Sequence, residues 1–99
     1  MRESTVEAHL VKQVKAVHGF VRKLKWVGVR GAPDRFIAIP QRGMWLAELK
    51  RPGGVLEDHQ AREHVRLMKM GIRVVVLDSI EAVDKFMEAS TEGGAPCGT

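Results

Sequence analysis

Asp34, Glu48 and Lys50 are residues whose types and spacing can do chemistry together. They sit in Gly31-Ala-Pro-Asp34-Arg-Phe-Ile-Ala-Ile-Pro-Gln-Arg-Gly-Met-Trp-Leu-Ala-Glu48-Leu-Lys50, which reads as a turn, a strand, a short hairpin loop and a second strand. Strand side chains alternate with period two, so Glu48 and Lys50 share a face and Leu49 takes the other. An antiparallel hairpin brings the start of one strand beside the end of the next, which lets Asp34 approach Glu48. Two carboxylates and an ammonium on one patch are costly to assemble unless they hold something. A divalent cation is such an occupant, because magnesium is usually held by one or two carboxylates plus waters and phosphate oxygens. The Leu49 carbonyl lies between the two side chains and offers a backbone ligand. A metal so held can activate water and neutralise charge on a phosphodiester undergoing in-line displacement. Lys50 would position the attacking water or stabilise the charge that develops on the phosphate. Gln60 on the following helix can orient water or phosphate without adding charge.

These residues need a scaffold. Val6, Leu10, Val11, Val14 and Val17 recur at helical spacing from about Thr5 to His18, with Gly19 as a stop signal. Glu7 shares that apolar face and reads two ways. Ser4-Thr5-Val6-Glu7 is a capping-box pattern, and on local pattern alone the cap is favoured. Reaching the site, Glu7 would instead hold a water of the metal's shell or complete a second metal site. Phe20 to Trp26 alternates, with Phe20, Arg22, Leu24 and Trp26 on one side and Val21, Lys23 and Lys25 on the other: a first strand with a basic outer face. Val27 to Pro33 is a loop, and Pro33 fixes the approach to Asp34. Arg35 to Ile39 and Met44 to Lys50 are the second and third strands around the turn Pro40–Gly43. A helix follows from about Glu57 to Met70. Ile72 to Leu77, nearly unbroken and apolar, reads as a strand covered on both faces. Asp78-Ser-Ile-Glu81 is a second capping-box pattern opening a last helix to about Ala89. Residues 1–90 thus form one domain, and residues 91–99, poor in apolar side chains, a frayed tail. The expected class is α/β in the order α-β-β-β-α-β-α, with a mixed central sheet flanked by helices.

The whole chain sets the bounds. Its 99 residues suffice for one modest core, and 16 Lys and Arg against 12 Asp and Glu give a net charge of +4, which favours polyanionic partners. The only cysteine, Cys97, allows no internal disulfide and suits a reducing compartment. The first residues lead into no apolar run, so neither a signal peptide nor a membrane segment is expected. His9, His18, His59 and His64 show no convincing zinc spacing. His64, one turn after Gln60, reads as a core, surface or cleft-lining histidine. Lys23, Lys25, Arg30, Arg35 and Arg51 are candidate phosphate contacts, with a solvated basic face as the plain alternative. Trp26 reads as core.

A single Glu-x-Lys carries no signal. Pro-Asp followed by Glu-x-Lys on adjoining strands, after a helix bearing a Glu on its apolar face, is far more restrictive. The constellation resembles the PD-(D/E)xK nuclease superfamily and, more narrowly, the virus-type replication-repair nuclease (VRR-NUC) family. The likeness is carried by Gly31-Ala-Pro-Asp34-Arg-Phe, Ala47-Glu48-Leu-Lys50-Arg-Pro-Gly-Gly and Gln60, supported by Trp26 and the close Gly71-Ile-Arg-Val-Val-Val-Leu-Asp-Ser. It implies a restriction-endonuclease-like core and a magnesium- or manganese-dependent DNA endonuclease, with no small-molecule cofactor. Small free-standing members are similar to phage proteins that act as homodimers on branched DNA such as four-way (Holliday) junctions, which implies the host cytoplasm. Carried over, Asp34 and Glu48 become metal ligands with the Leu49 carbonyl, Lys50 the catalytic lysine, Gln60 the helix glutamine and Glu7 the helix-one acid of the site. The competing reading, from another class, is a basic DNA-binding module with the same fold and no catalysis. It predicts salt-sensitive binding without metal-dependent cleavage.

Overall fold

The computed structural model describes residues 2–92. Helix α1 spans Glu3–Ala16, strands β1, β2 and β3 span Phe20–Lys23, Arg35–Ile39 and Gly43–Leu49, helix α2 spans Asp58–Lys69, strand β4 Val74–Leu77 and helix α3 Ile80–Glu92. The expected element order holds. Four strands form one sheet in the order β1-β2-β3-β4. The two hairpin pairings are antiparallel and β3 pairs β4 in parallel, because α2 carries the chain back across the sheet. Of the expected tail, residues 91 and 92 continue α3, and the rest lies outside the described residues.

Period-two alternation sorts the strands onto two faces. Ile37, Ile39, Ala47, Leu49 and Leu77 point to one side and close a core with Val6, Leu10 and Val14 of α1 and Val83 and Phe86 of α3. Burying such side chains is worth about 1.5–3 kcal/mol each, so this layer is the main stabilising element. On the other side α2 packs against β4 and sends His64 and Leu67 inward. No helix among the described residues is long and apolar enough to cross a membrane.

Local differences from the expected elements have identifiable causes. The Ser4–Glu7 capping box does not form: α1 begins at Glu3, its N-cap Arg2 makes no side-chain cap bond, and Glu7 lies inside the helix with its carboxylate on Arg35. Gly19 does end α1, but the left-handed residue is His18 (φ 67°). The His18 amide bonds Lys15 O and the Gly19 amide Val14 O, both at 2.9 Å, a Schellman ending. Gly19 is required for space instead, since a Cβ there would lie 2.5 Å from Ala38 O. The first strand stops at Lys23 and its faces are inverted. Val21 pairs with Ile37 and packs on the core, leaving Phe20 on the outer face. β4 is an edge strand covered on both faces only in part, with Val76 38% exposed. Its run of valines signals strand propensity, which edge and central strands share. Ser79, not Asp78, caps α3: its Oγ accepts the Ala82 amide at 3.0 Å.

Candidate active site

Asp34 is delivered by a pinned loop. The Trp26 indole donates to Pro33 O at 2.7 Å, so Trp26, 37% exposed, clasps the loop from outside rather than filling the core. The Leu24 amide donates to Asp34 O at 2.9 Å, the last bond of the β1–β2 ladder. Gly31, at φ +84°, lets the loop lie directly on His59 and Gln60 at the start of α2. One pair beyond Arg35–Ala47 the register sets Asp34 opposite Glu48, and alternation puts both side chains on the face toward α2. Lys50 follows on that face, its amide held by Leu77 O at 3.0 Å. Its Nζ donates to Gln60 Oε1 at 3.0 Å, and the same oxygen accepts the Glu57 amide at 2.9 Å. Asp34, Glu48, Lys50 and Gln60 therefore meet where the end of β3, the start of β2 and the N-terminus of α2 converge.

The electrostatics of this patch are unsatisfied. Burial, reinforced by the charge of Asp34, pushes the Glu48 carboxyl up to about 7 although Lys50 pulls the other way. Asp34 Oδ1 and Glu48 Oε1 are both buried without a hydrogen-bond partner among the described residues. His64 Nε2 lies 3.5 Å from Glu48 Oε1, too long and poorly aligned for a hydrogen bond. Burial is the main reason the His64 ring is held below its usual range and hence neutral, so it does not answer the Glu48 charge.

Orphaned buried carboxylate oxygens on adjoining strands fit a hard cation. Asp34 and Glu48 would hold it. Continued two pairs beyond Arg35–Ala47, the register would set Pro33 opposite Leu49, and proline has no N–H to give to the Leu49 carbonyl, which could then serve the same ion. Among the described residues no group of three or more His, Cys, Asp and Glu converges. A hard cation here would therefore draw its remaining ligands from the backbone, water or phosphate.

Glu7 reaches the margin of this patch and is bound to Arg35. The Arg35 Nε donates to Glu7 Oε2 at 2.5 Å, and Nη1 donates to Asp34 Oδ2 at 3.0 Å. Burial, the largest influence on the guanidinium, opposes its charge, but Glu7 and Asp34 outweigh it and raise its pKa. Arg35 is 9% exposed and paired with two acids, whereas Lys23, Lys25, Arg30 and Arg51 stand exposed, Lys25 and Arg30 on the loop leading to Asp34 and Arg51 next to Lys50. His64 lines the cleft against Glu48, one of the readings that its place one turn after Gln60 allows. One relationship at the site goes beyond the sequence reading. Arg35 bridges two acids, for which its position between Asp34 and an inward strand face is the only clue.

No family model matches the chain. It is 42% identical over 79 residues, 80% of its length and 85% of the relative's, to a protein named "Putative nuclease p44" from Acyrthosiphon pisum secondary endosymbiont phage 1. A solved structure titled VRR-NUC domain superposes with a TM-score of 0.78 at 40% identity, covering 87% of this chain and 94% of that one. Likeness at this level over most of both chains extends to the restriction-endonuclease-like sheet order. The chain belongs to the VRR-NUC family, as a small member of its phage type.

Proposed function

We propose that this VRR-NUC nuclease is a magnesium- or manganese-dependent DNA endonuclease, selective for branched substrates such as four-way junctions. It acts as a homodimer, in the host cytoplasm where it is phage-encoded. One observation carries the metal reading: Asp34 Oδ1 and Glu48 Oε1, on adjoining strands, are both buried without a hydrogen-bond partner among the described residues, and Lys50 on the same face is already held in place. Leaving two such groups unanswered costs several kcal/mol in order-of-magnitude terms, a cost that a bound cation removes.

Asp34, Glu48 and the Leu49 carbonyl hold the ion, with Glu7 set back behind Arg35. A divalent cation there supplies charge neutralisation at the scissile phosphate and a more acidic water. Lys50 binds a non-bridging phosphate oxygen and stabilises the charge that builds on it during displacement. Gln60 fixes the Lys50 ammonium through Oε1, and its amide N–H groups remain to orient phosphate or water. The exposed Lys23, Lys25, Arg30 and Arg51 contact flanking phosphates and set register without reading bases. One domain offers one cut. A symmetric junction presents two equivalent strands, which a two-fold dimer matches.

The test incubates the purified chain with four-way junction, flap, single-stranded and linear duplex DNA, with magnesium, manganese or chelator, alongside its mass in solution. Metal-dependent nicking, strongest on the junction and lost in Asp34→Ala and Lys50→Ala variants that still fold, is the expected result. Salt-sensitive binding with no cleavage in either metal would leave the non-catalytic DNA-binding reading in its place.

A further inference from the structure

We propose that Arg35 is a positioning residue that ties Glu7 to Asp34, so that Glu7 acts on the metal site through the guanidinium and not as a ligand. The inference rests on the metal-dependent reading above. Alternation gives Arg35 the face toward α1 and Asp34 the face toward α2, yet the guanidinium reaches around the start of β2 to serve both. Its Nε takes Glu7 Oε2, while Nη1 takes Asp34 Oδ2 at 3.0 Å and Asp34 O at 3.2 Å. The fork is rigid and planar, so anchoring one edge on α1 fixes where the other presents itself.

The consequence falls on Asp34. Its side chain is 44% exposed and without restraint would turn to solvent. With Oδ2 engaged by Arg35, Oδ1 is held inward and buried, and like Glu48 Oε1 across the strand pair it has no hydrogen-bond partner among the described residues. Glu7 has a second duty. An unneutralised guanidinium next to a ligand would repel a divalent ion, and the Glu7 carboxylate offsets that charge from the side away from Glu48. Loss of Glu7 therefore frees Arg35 to close on Asp34 as a simple ion pair and withdraws the ligand. Partners one layer behind metal ligands typically change affinity 10- to 100-fold.

Manganese affinity, measured by titration calorimetry and by the EPR signal of free manganese with no DNA present, tests this in a double-mutant cycle. Glu7→Gln and Arg35→Met should each weaken binding by about tenfold. In the Arg35→Met background, Glu7→Gln should change it by less than about twofold, because the connection is already cut. A full further tenfold loss in that background would make Glu7 a ligand in its own right and overturn the proposal. Should Arg35→Met not fold, Arg35→Lys keeps the charge but cannot span both carboxylates. It should also lose about tenfold, and unchanged affinity would overturn the proposal. Asp34→Ala separates the two levels. If it abolishes binding while Arg35 variants bind normally, only the relay fails. If the native chain binds no manganese, the metal reading and the relay fall together.

Discussion

Lys50 and the N-terminus of α2 are fastened to one atom: Gln60 Oε1 accepts Lys50 Nζ at 3.0 Å and the Glu57 amide at 2.9 Å. The capping bond that starts the helix thus also aims the lysine. Gln60→Ala should lower stability by about 1 kcal/mol through the lost cap. It should also cut kcat by about 10- to 100-fold, because the ammonium is no longer held. Lys50→Ala should cost at least about a thousandfold in kcat, with manganese affinity within about twofold of the native value. Rate measurements at saturating metal, with chemical denaturation of each variant, check both. A Gln60→Ala enzyme with native kcat would separate the helix cap from the chemistry.

Glu48 makes the metal-free protein pH-sensitive in a definite direction. Its carboxyl is raised from 4.5 to about 7 in the folded state, chiefly by burial, so the folded form binds a proton that the unfolded form has released. Stability therefore falls as pH rises from about 4.5 to about 7, and above that the whole penalty, about 3 kcal/mol, is present. Glu48→Gln removes it. With chelator, thermal unfolding should find the variant close to the native chain at pH 5 and more stable by about 2–3 kcal/mol at pH 8. On the proposed metal reading, manganese should reverse that order at pH 8, because the variant lacks one of the two carboxylates that would hold the ion. Equal pH profiles for the two proteins in chelator would mean that Glu48 titrates as an ordinary surface acid.

How these parts were legible, and where they were not, follows from the range of the interactions. The meeting of Asp34, Glu48 and Lys50 depends on period-two alternation and one short hairpin, both written in adjacent residues. The core follows in the same way from Val6, Leu10 and Val14 on one helix face. Glu7 is different. Its local pattern with Ser4 advertises a cap, yet its partner is Arg35, 28 residues on in the chain and brought near only by packing. The faces of β1 were decided by which residues oppose the inward Arg35 and Ile37, a matter of register that the strand's own letters do not contain. β4 looks like a central strand because valine favours any strand, and its edge position depends on where the chain runs out of partners.

His18 carries a conformational cost that glycine would not. It occupies the left-handed position of the α1 ending at φ 67° and is exposed. His18→Gly should stabilise the fold by about 0.5–1 kcal/mol, visible as a raised Tm with unchanged cleavage rates. Gly19→Ala, by contrast, meets Ala38 O at 2.5 Å and Val14 Cγ1 at 2.8 Å and should destabilise by more than His18→Gly gains. A lowered Tm for His18→Gly would show that the side chain makes a compensating contact.

Gly31 and Gly28 form a matched pair for separating backbone strain from packing at the site. Both have positive φ, +84° and +76°, so alanine strains either by about 1 kcal/mol. Only Gly31 is crowded: a Cβ would lie 2.8 Å from His59 Cδ2, 3.0 Å from His59 O and 3.2 Å from Gln60 Cα, whereas Gly28 has nothing within 4 Å. Two of those three neighbours are backbone and cannot swing aside, so Gly31→Ala must move the loop or the start of α2. Either shift pulls Asp34 or Gln60 out of line with Glu48 and Lys50, and displacements of about 1 Å near reacting groups can cost a hundredfold in rate. Gly31→Ala should therefore lose activity far beyond its loss of stability, while Gly28→Ala loses about 1 kcal/mol and keeps its kcat. Parallel denaturation and junction-cleavage assays of the two variants decide the matter. Equal kcat in both would mean that the loop-to-helix contact does not position the site.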